Sequence, residues 1–397
     1  MSADFLATPA GGLVSGNRLQ LLESGGEYFP ALIVAIDAAA HEVHLETYIF
    51  ADDATGRLVA AALARAAQRG VAVRVLVDGF GARDFAAGLG ASLAADCVEV
   101  MTYRPEAGQF GFRRHRLRRL HRKLVVVDGR VAFVGGINVI DDFDDGESKS
   151  ARFDYAVRVE GPLAASIHAA MRHVWRLVRW AHLGRRPPAP ATLPAAPAID
   201  GPIIAALLIR DNLRHRRDIE NAYLQAIQSA RREILISNAY FLPGRRFRNA
   251  LLEAARRGVA VRLLLQGRSD HLLLHYAALS LYDRLLSAGV RIFEYVPGEL
   301  HAKVAVIDGD WATVGSSNID PFSLLLSREA NVVVRDVAFA GELQASLQAA
   351  LDSAAKEIRV EDQRHRSWLA RLAIAAAYNL VRILLGVTRY GGKQYSG

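Results

Sequence analysis

The sequence predicts an α/β protein made of two similar α/β/α sandwich halves, followed by an amphipathic helix. Two observations carry this. The string Leu120-His121-Arg122-Lys123-Leu124-Val125-Val126-Val127-Asp128-Gly129 returns as Leu300-His301-Ala302-Lys303-Val304-Ala305-Val306-Ile307-Asp308-Gly309. Helical and strand patterns alternate in the same order before each copy, and such alternation implies sheets covered by helices.

Residues 1–16, rich in Gly and Ala, read as a loose amino terminus, and the first half occupies 17–183. Phe29 to Ala40 has helical apolar spacing, Val43 to Phe50 reads as a strand, and Gly56 to Arg69 is an Ala-rich helix stopped by Gly70. Val71 to Val77 is apolar on both faces, as in a sheet covered on both sides. Pro162 to His182 follows as a helix whose Trp175 and Trp180 suit either a core or a membrane interface. Prolines from Pro187 to Pro202 mark a linker over 184–202.

The second half, 203–360, repeats the plan. Ile219 to Ala230 is helical, Glu233-Ile234-Leu235-Ile236-Ser237 parallels Glu42-Val43-His44-Leu45-Glu46, and Phe247 to Arg257 is helical. Arg69-Gly70-Val71-Ala72-Val73-Arg74 recurs as Arg257-Gly258-Val259-Ala260-Val261-Arg262. The tail, 361–397, carries a helix from Ser367 to Tyr390. At about 100° per residue, Arg364, Arg371, Arg382 and Arg389 form a basic stripe. Leu369, Leu372, Ala376, Leu380, Ile383 and Leu384 lie opposite, flanked by Trp368 and Tyr390. That shape suits either a membrane interface or docking on the core.

Half the residues are apolar (51%) and 23% are charged, which is globular rather than disordered composition. A net charge of +8 favours an anionic partner, either nucleic acid or an anionic membrane surface. The single cysteine, Cys97, excludes an internal disulfide, fits a reducing compartment and reads as a small buried apolar residue. The amino terminus has no secretory pattern, and no stretch of about 18 apolar residues marks a spanning helix.

The repeated string carries the chemistry. Alternation along a strand points His121 with Lys123, and His301 with Lys303. Asp128 and Asp308 have the opposite parity, so each is expected to brace its strand rather than touch its own His. Two imidazoles and two ammonium groups that converge suit attack on a phosphodiester. One ring is the nucleophile, the other protonates the leaving oxygen, and cations hold the phosphate oxygens. Arg113, Arg114, Arg116, Arg118 and Arg119 precede the first copy and read as a solvated face or an anionic head-group site. Arg245, Arg246 and Arg248 are a weaker candidate of the same kind.

The paired His-x-Lys-x-x-x-x-Asp motifs, trailed by Gly135-Gly136-Ile137-Asn138 and Gly315-Ser316-Ser317-Asn318, resemble the phospholipase D superfamily from about Asn17 to Arg335. Within it, Tyr28-Phe29-Pro30-Ala31-Leu32 with Leu45-Glu46-Thr47-Tyr48 is similar to bacterial cardiolipin synthases, in particular the B type. So is Ser316-Ser317-Asn318-Ile319-Asp320-Pro321 with Ser327-Arg328-Glu329-Ala330-Asn331. The chain is expected to lack the two amino-terminal spanning helices of some cardiolipin synthases.

The resemblance implies halves related by a pseudo-twofold axis, with the active site between them and neither metal nor cofactor. It implies a catalytic set of His121, Lys123, Asp128, His301, Lys303 and Asp308, with His121 as nucleophile and His301 as general acid, an assignment open to reversal. Asn138, Asn318 and Ser316 would bind phosphate oxygens, and Gly136 would leave the first half one hydroxyl short. Asp154 and Glu329 would orient the imidazoles.

The implied reaction is phosphatidyl transfer through a phosphatidyl-histidine, from a phospholipid donor such as phosphatidylglycerol to the glycerol hydroxyl of phosphatidylglycerol, giving cardiolipin. The implied setting is the cytoplasmic side of an anionic phospholipid membrane, peripherally bound, with no nucleic-acid partner. The alternative is a phosphodiesterase hydrolysing phospholipid or nucleic acid.

Overall fold

A computed structural model describes residues 12–105, 118–142, 151–183, 199, 201–211, 213–267, 272–321, 323, 326–364 and 367–387. The first half runs β1 (Val14–Glu23), α1 (Ser24–Asp37), β2 (Glu42–Thr47), α2 (Ala54–Gln68), β3 (Ala72–Asp78), α3 (Leu89–Ala95), β4 (Glu99–Tyr103), β5 (Lys123–Val127), β6 (Val131–Gly135), β7 (Tyr155–Glu160) and α4 (Pro162–Leu183). The second runs β8 (Ile203–Arg210), α5 (Asp218–Ser229), β9 (Glu233–Asn238), α6 (Arg245–Arg256), β10 (Ala260–Gln266), α7 (Leu272–Ser287), β11 (Arg291–Tyr295), β12 (Lys303–Ile307), β13 (Trp311–Gly315), β14 (Glu329–Arg335) and α8 (Val337–Ala354). β15 (Ala355–Ile358), α9 (Val360–Arg364) and α10 (Trp368–Val387) complete the described chain.

The strands form one sheet, ordered β15-β11-β10-β9-β12-β13-β14-β8-β1-β7-β6-β5-β2-β3-β4. Outward from the antiparallel β1–β8 pair the two sides mirror each other, which is the pseudo-twofold relation. β2, β3 and β4 are parallel, as are β9, β10 and β11. β5 and β12 run antiparallel beside β2 and β9. Four apolar clusters follow among the described residues, the smallest gathering Leu76, Tyr103 and Leu120 against Val174, Trp175 and Val178 of α4. One lies under α1 and α2, one under α5, α6 and α7, and a central one joins the halves. In the central core Leu124, Val126 and Val134 share a cluster with Val304, Val306 and Val314. Burying each such side chain stabilises by roughly 1.5–3 kcal/mol, so the halves are held by apolar packing as well as by the sheet.

The repeated strings repeat because they solve one backbone problem twice. Gly70 (φ 88) and Gly258 (φ 87) end α2 and α6 in the left-handed region that favours glycine. The arginine before each caps a neighbouring helix end. Arg69 donates to the carbonyls of Ile36 and Ala39, and Arg257 to those of Ile227, Gln228 and Ala230.

Four expectations change. β1 begins at Val14, inside the stretch read as loose. Cys97 is exposed, at φ 64 in the turn between α3 and β4. Trp175 is buried and Trp180 exposed. Of the second basic candidate, Arg248 is buried while Arg245 and Arg246 are exposed.

One buried group has no counterpart in the second half. His44 pairs with Val126 in register where Leu235 pairs with Val306, so the two positions are equivalent. Both ring nitrogens of His44 lack hydrogen-bond partners, and the ring packs edge-on against Trp175 at 5.2 Å. Burial, then the charge of Arg74, holds its pKa well below 6.5. Its titration costs no stability above pH 6.5, where the ring is neutral folded or unfolded. As pH falls below 6.5 the unfolded chain alone takes the proton, and stability falls by about 1.4 kcal/mol per pH unit. His44→Leu, which copies Leu235, is expected to stabilise the fold by about 1–2 kcal/mol by removing the unsatisfied ring, and to flatten the decline between pH 6.5 and 5. Thermal unfolding across that range checks both; a lower melting temperature at pH 7.5 contradicts the reading.

Candidate active site

The segment entering each His-Lys strand is tied to both halves. In the first, Leu120 N–H donates to Asp78 Oδ2 (2.7 Å), and His121 N–H donates to the carbonyl of Arg328 (3.0 Å). In the second, Leu300 N–H donates to Gln266 Oε1 (2.8 Å), and His301 N–H donates to the carbonyl of Phe153 (2.8 Å). Arg328 N–H donates back to Arg119, and Phe153 N–H to Glu299. Each His-bearing segment thus lies beside the segment of the other half that carries a buried carboxylate.

The side chains follow that crossing. His121 Nδ1 lies 3.1 Å from the carboxylate of Glu329, and His301 Nδ1 lies 2.6 Å from Asp154 Oδ2. A neutral ring that donates from Nδ1 keeps its lone pair on Nε2. Lys123 Nζ donates to its own His121 carbonyl (2.7 Å), and Lys303 to that of His301. Lys303 Nζ also lies 3.8 Å from Asp154 Oδ2.

The two halves brace their carboxylates differently. Ser316 Oγ donates to Glu329 Oε2 (2.6 Å). At the matching position Gly136 faces Asp154, and a Cβ there would collide with both carboxylate oxygens. The shorter acid therefore goes with the glycine and the longer one with the serine. Ser316, expected to bind phosphate, also receives the N–H of Ala330 on its hydroxyl (3.0 Å).

Burial sets the electrostatics. It pushes Lys123 down to about 7 against the pull of Glu329. It lowers Lys303 against the pull of Asp154. Burial lowers His121, partly offset by Glu329, and puts His301 well below the usual histidine value, with Lys303 adding to the effect. Asp154 is raised by burial to about 6, against the pull of Lys303. The parallel bridges between Leu120 and Arg328 and between Phe153 and Leu300 hold the two half-sites side by side.

Asp128 and Asp308 lie away from these half-sites. Each sits after its strand at positive φ (53 and 52), in the turn at the strand's far end. Asp128 accepts the N–H groups of Ala40, His41 and Glu42, and Asp308 those of Arg231, Arg232 and Glu233. Both cap the entry to the neighbouring strand, as side-chain parity implies. Asn138 Oδ1 accepts the Ile49 N–H (3.1 Å), leaving its Nδ2 as a donor, and Asn318 Oδ1 is buried without a partner. Arg118 and Arg119 of the basic run lie within the described residues; Arg113, Arg114 and Arg116 lie outside them. Among the described residues no group of three or more His, Cys, Asp or Glu is arranged to hold a metal.

The sequence reading missed three groups. Tyr48 packs on His121 with ring centres 4.8 Å apart, and Lys123 Nζ lies 5.4 Å from its ring. Asp78 and Gln266 end matching strands, so their shared polarity after two apolar runs was a usable signal. Buried Arg210 reaches the carbonyl of Ser327, two residues before Glu329, and no repeat betrays it.

A profile of the family described as "Cardiolipin synthase, PLD-like domain" matches residues 32–175 and 223–351. Cardiolipin synthase B of Escherichia coli (strain K12) is 40% identical over 377 residues, 92% of this chain and 88% of that protein. Cardiolipin synthase A of Pseudomonas putida (strain GB-1) is 33% identical over 373 residues, 94% of this chain and 76% of that protein. The crystal structure of phosphatidylserine synthase from Haemophilus influenzae Rd KW20 shares the fold at TM-score 0.64, with 14% identity and 94% of each chain covered. Motifs, crossed geometry and relatives agree, and the chain belongs to the cardiolipin synthase, PLD-like domain family.

Proposed function

We propose that this chain is a cardiolipin synthase that transfers a phosphatidyl group through a histidine. The crossed His–carboxylate pairs carry the reading, since they aim two imidazoles with fixed Nδ1 partners into one lysine-lined space. His121 Nε2 attacks the phosphorus of phosphatidylglycerol. The bond from phosphorus to the glycerol oxygen breaks, and that oxygen takes a proton from His301 Nε2. The phosphatidyl group now rests on His121. The free glycerol hydroxyl of a second phosphatidylglycerol gives its proton to His301 and attacks phosphorus. The phosphorus–nitrogen bond breaks, releasing cardiolipin. Lys123, Lys303 and the Asn138 amide hold the phosphate oxygens, where charge builds in each transition state.

Asp154 supports the role of His301. A proton shared between that raised carboxyl and Nδ1 leaves hydrogen on Nε2, the state a general acid needs. Expression in a host lacking cardiolipin, followed by lipid mass spectrometry, tests the reading. Cardiolipin is expected to accumulate; unchanged lipids, or phosphatidic acid alone, contradict it.

The proposed setting is the cytoplasmic face of the membrane, whose anionic surface attracts a chain of net charge +8. Among the described residues no helix is long and apolar enough to span a bilayer. α10 has two apolar faces. Ile374 and Val381 are buried in the core that includes α7 and Ala377 is buried, while Trp368, Leu369, Leu372, Leu380, Ile383 and Leu384 are exposed. Exposed apolar patches of this kind mark interaction sites, and this one is proposed to lie in the lipid interface. Deleting the tail would also strip α7, so point changes separate the two roles. Leu372→Glu with Ile383→Glu is expected to weaken binding to anionic vesicles about tenfold or more with an unchanged melting temperature. Unchanged vesicle binding contradicts this.

A further inference from the structure

Among the described residues an aromatic ring packs on one histidine of the pair and not on the other. Tyr48 follows β2, and its ring centre lies 4.8 Å from that of His121, with the planes tilted by 60°. The matching position after β9 is Ala239, since Thr47 pairs with Val77 in register where Asn238 pairs with Leu265. Ala239 gives its N–H to the Ala302 carbonyl, next in chain to His301, and brings no ring.

The tyrosine is held from behind. At Gly81 a Cβ would come within 2.4 Å of the Tyr48 carbonyl oxygen and 2.9 Å of two of its ring carbons, so glycine lets the loop after β3 close on the ring. Asp78 fastens that loop. Its Oδ1 accepts the N–H groups of Phe80 (2.8 Å) and Gly81 (3.2 Å), and its Oδ2 accepts that of Leu120 (2.7 Å), the residue before His121. One carboxylate thus ties the backing of the tyrosine to the segment that carries the histidine. Burial, then the charge of Asp78, pushes the phenol up to about 12, so the ring is neutral near pH 7. Lys123 Nζ lies 5.4 Å from the centre of the same ring.

The two histidines change charge in opposite directions during transfer. His121 begins neutral with hydrogen on Nδ1, facing Glu329. Once its Nε2 bonds to phosphorus, the ring is a cation. His301 gives up a proton in the same step, so positive charge leaves that side. An aromatic ring attracts a cation within about 6 Å of its centre, and so favours the charged His121 over the neutral one. We infer that Tyr48 is a positioning residue that holds His121 for attack and stabilises the positive ring formed when phosphorus bonds to it, which makes His121 rather than His301 the nucleophile. The inference rests on the proposed transfer and deepens it. Phosphorus gains the bond to Nε2 and loses the bond to the glycerol oxygen, which leaves with the proton of His301. Tyr48 itself exchanges no proton.

The test follows the burst of p-nitrophenolate from a p-nitrophenyl phosphatidyl donor in mixed micelles. Burst amplitude counts working sites, and burst rate reports the attack. Tyr48→Phe keeps the ring, and its burst rate is expected to stay within about threefold of the wild type. Tyr48→Leu and Tyr48→Met fill the space without a π-face. Each is expected to slow the burst roughly tenfold, the size of a desolvated cation–aromatic contact. Donor KM should stay within about twofold, because the ring is neutral before attack. Equal burst rates in the Phe and Leu variants would overturn the inference. If both are fast, Tyr48 only packs; if both are slow, its hydroxyl carries the effect. A loss carried by donor KM would overturn it too. A wild-type chain with no burst would instead sink the transfer reading itself. Partial unfolding lowers the amplitude and leaves the rate, so it cannot imitate the expected result.

Discussion

His121→Ala and His301→Ala are each expected to abolish cardiolipin formation, with a loss on the order of 10⁴-fold or more, because nucleophile and proton donor act as one unit. For the same reason the double variant should lose little more than either single one. Neither side chain is part of the central apolar core, so melting temperatures should hold. Accumulation of cardiolipin in the host lacking it, scored by mass spectrometry, reads the effect. Near-normal output from either variant would remove the mechanism.

The second large effect tests the crossing of the halves. Glu329→Gln and Asp154→Asn each replace an Nδ1 acceptor with an amide that can turn its N–H toward the ring. For His121 this puts hydrogen on Nε2 and hides the attacking lone pair. For His301 it leaves a ring that cannot pass on charge as it gives up its proton. Losses of about 10²- to 10⁴-fold are expected, as when a triad carboxylate is replaced. The two variants should differ in one respect. A donor with a p-nitrophenol leaving group needs no protonation, so the first-step burst of p-nitrophenolate should be largely restored in Asp154→Asn and His301→Ala, while the second step, which uses His301 as base, stays slow. The same donor should leave Glu329→Gln and His121→Ala inactive. The reverse pattern would exchange the roles of the two histidines, and no rescue anywhere would argue against general acid catalysis at His301.

Much of the fold was legible because the duplication repeats local solutions. The Arg-Gly helix stops, the Asp-Gly turns and the valine-rich strands are short-range devices, and each leaves the same letters twice. Parity along the strand also foretold that Asp128 and Asp308 cap backbone. What stayed hidden is long-range. Nothing local says that Glu329 serves the histidine 208 residues earlier, or Asp154 the one 147 residues later. The β1–β8 pairing that fuses the halves into one sheet joins segments with no matching motif. At Ser316 the motif shows a hydroxyl, but not that the Glu329 carboxylate lies behind it to accept its hydrogen. In α10 the helical wheel showed an apolar side, but not that Ile374 and Val381 lie on a separate face spent on the core.

The covalent step is the heart of the account, and it can be caught. His301→Ala enzyme is mixed with a p-nitrophenyl phosphatidyl donor, quenched in base, where phosphorus–nitrogen bonds persist, and mapped by peptide mass spectrometry. The account predicts a phosphatidyl group on His121, which accumulates because the base for the second step is missing. Full turnover with no adduct, or an adduct on a residue other than His121, would contradict it.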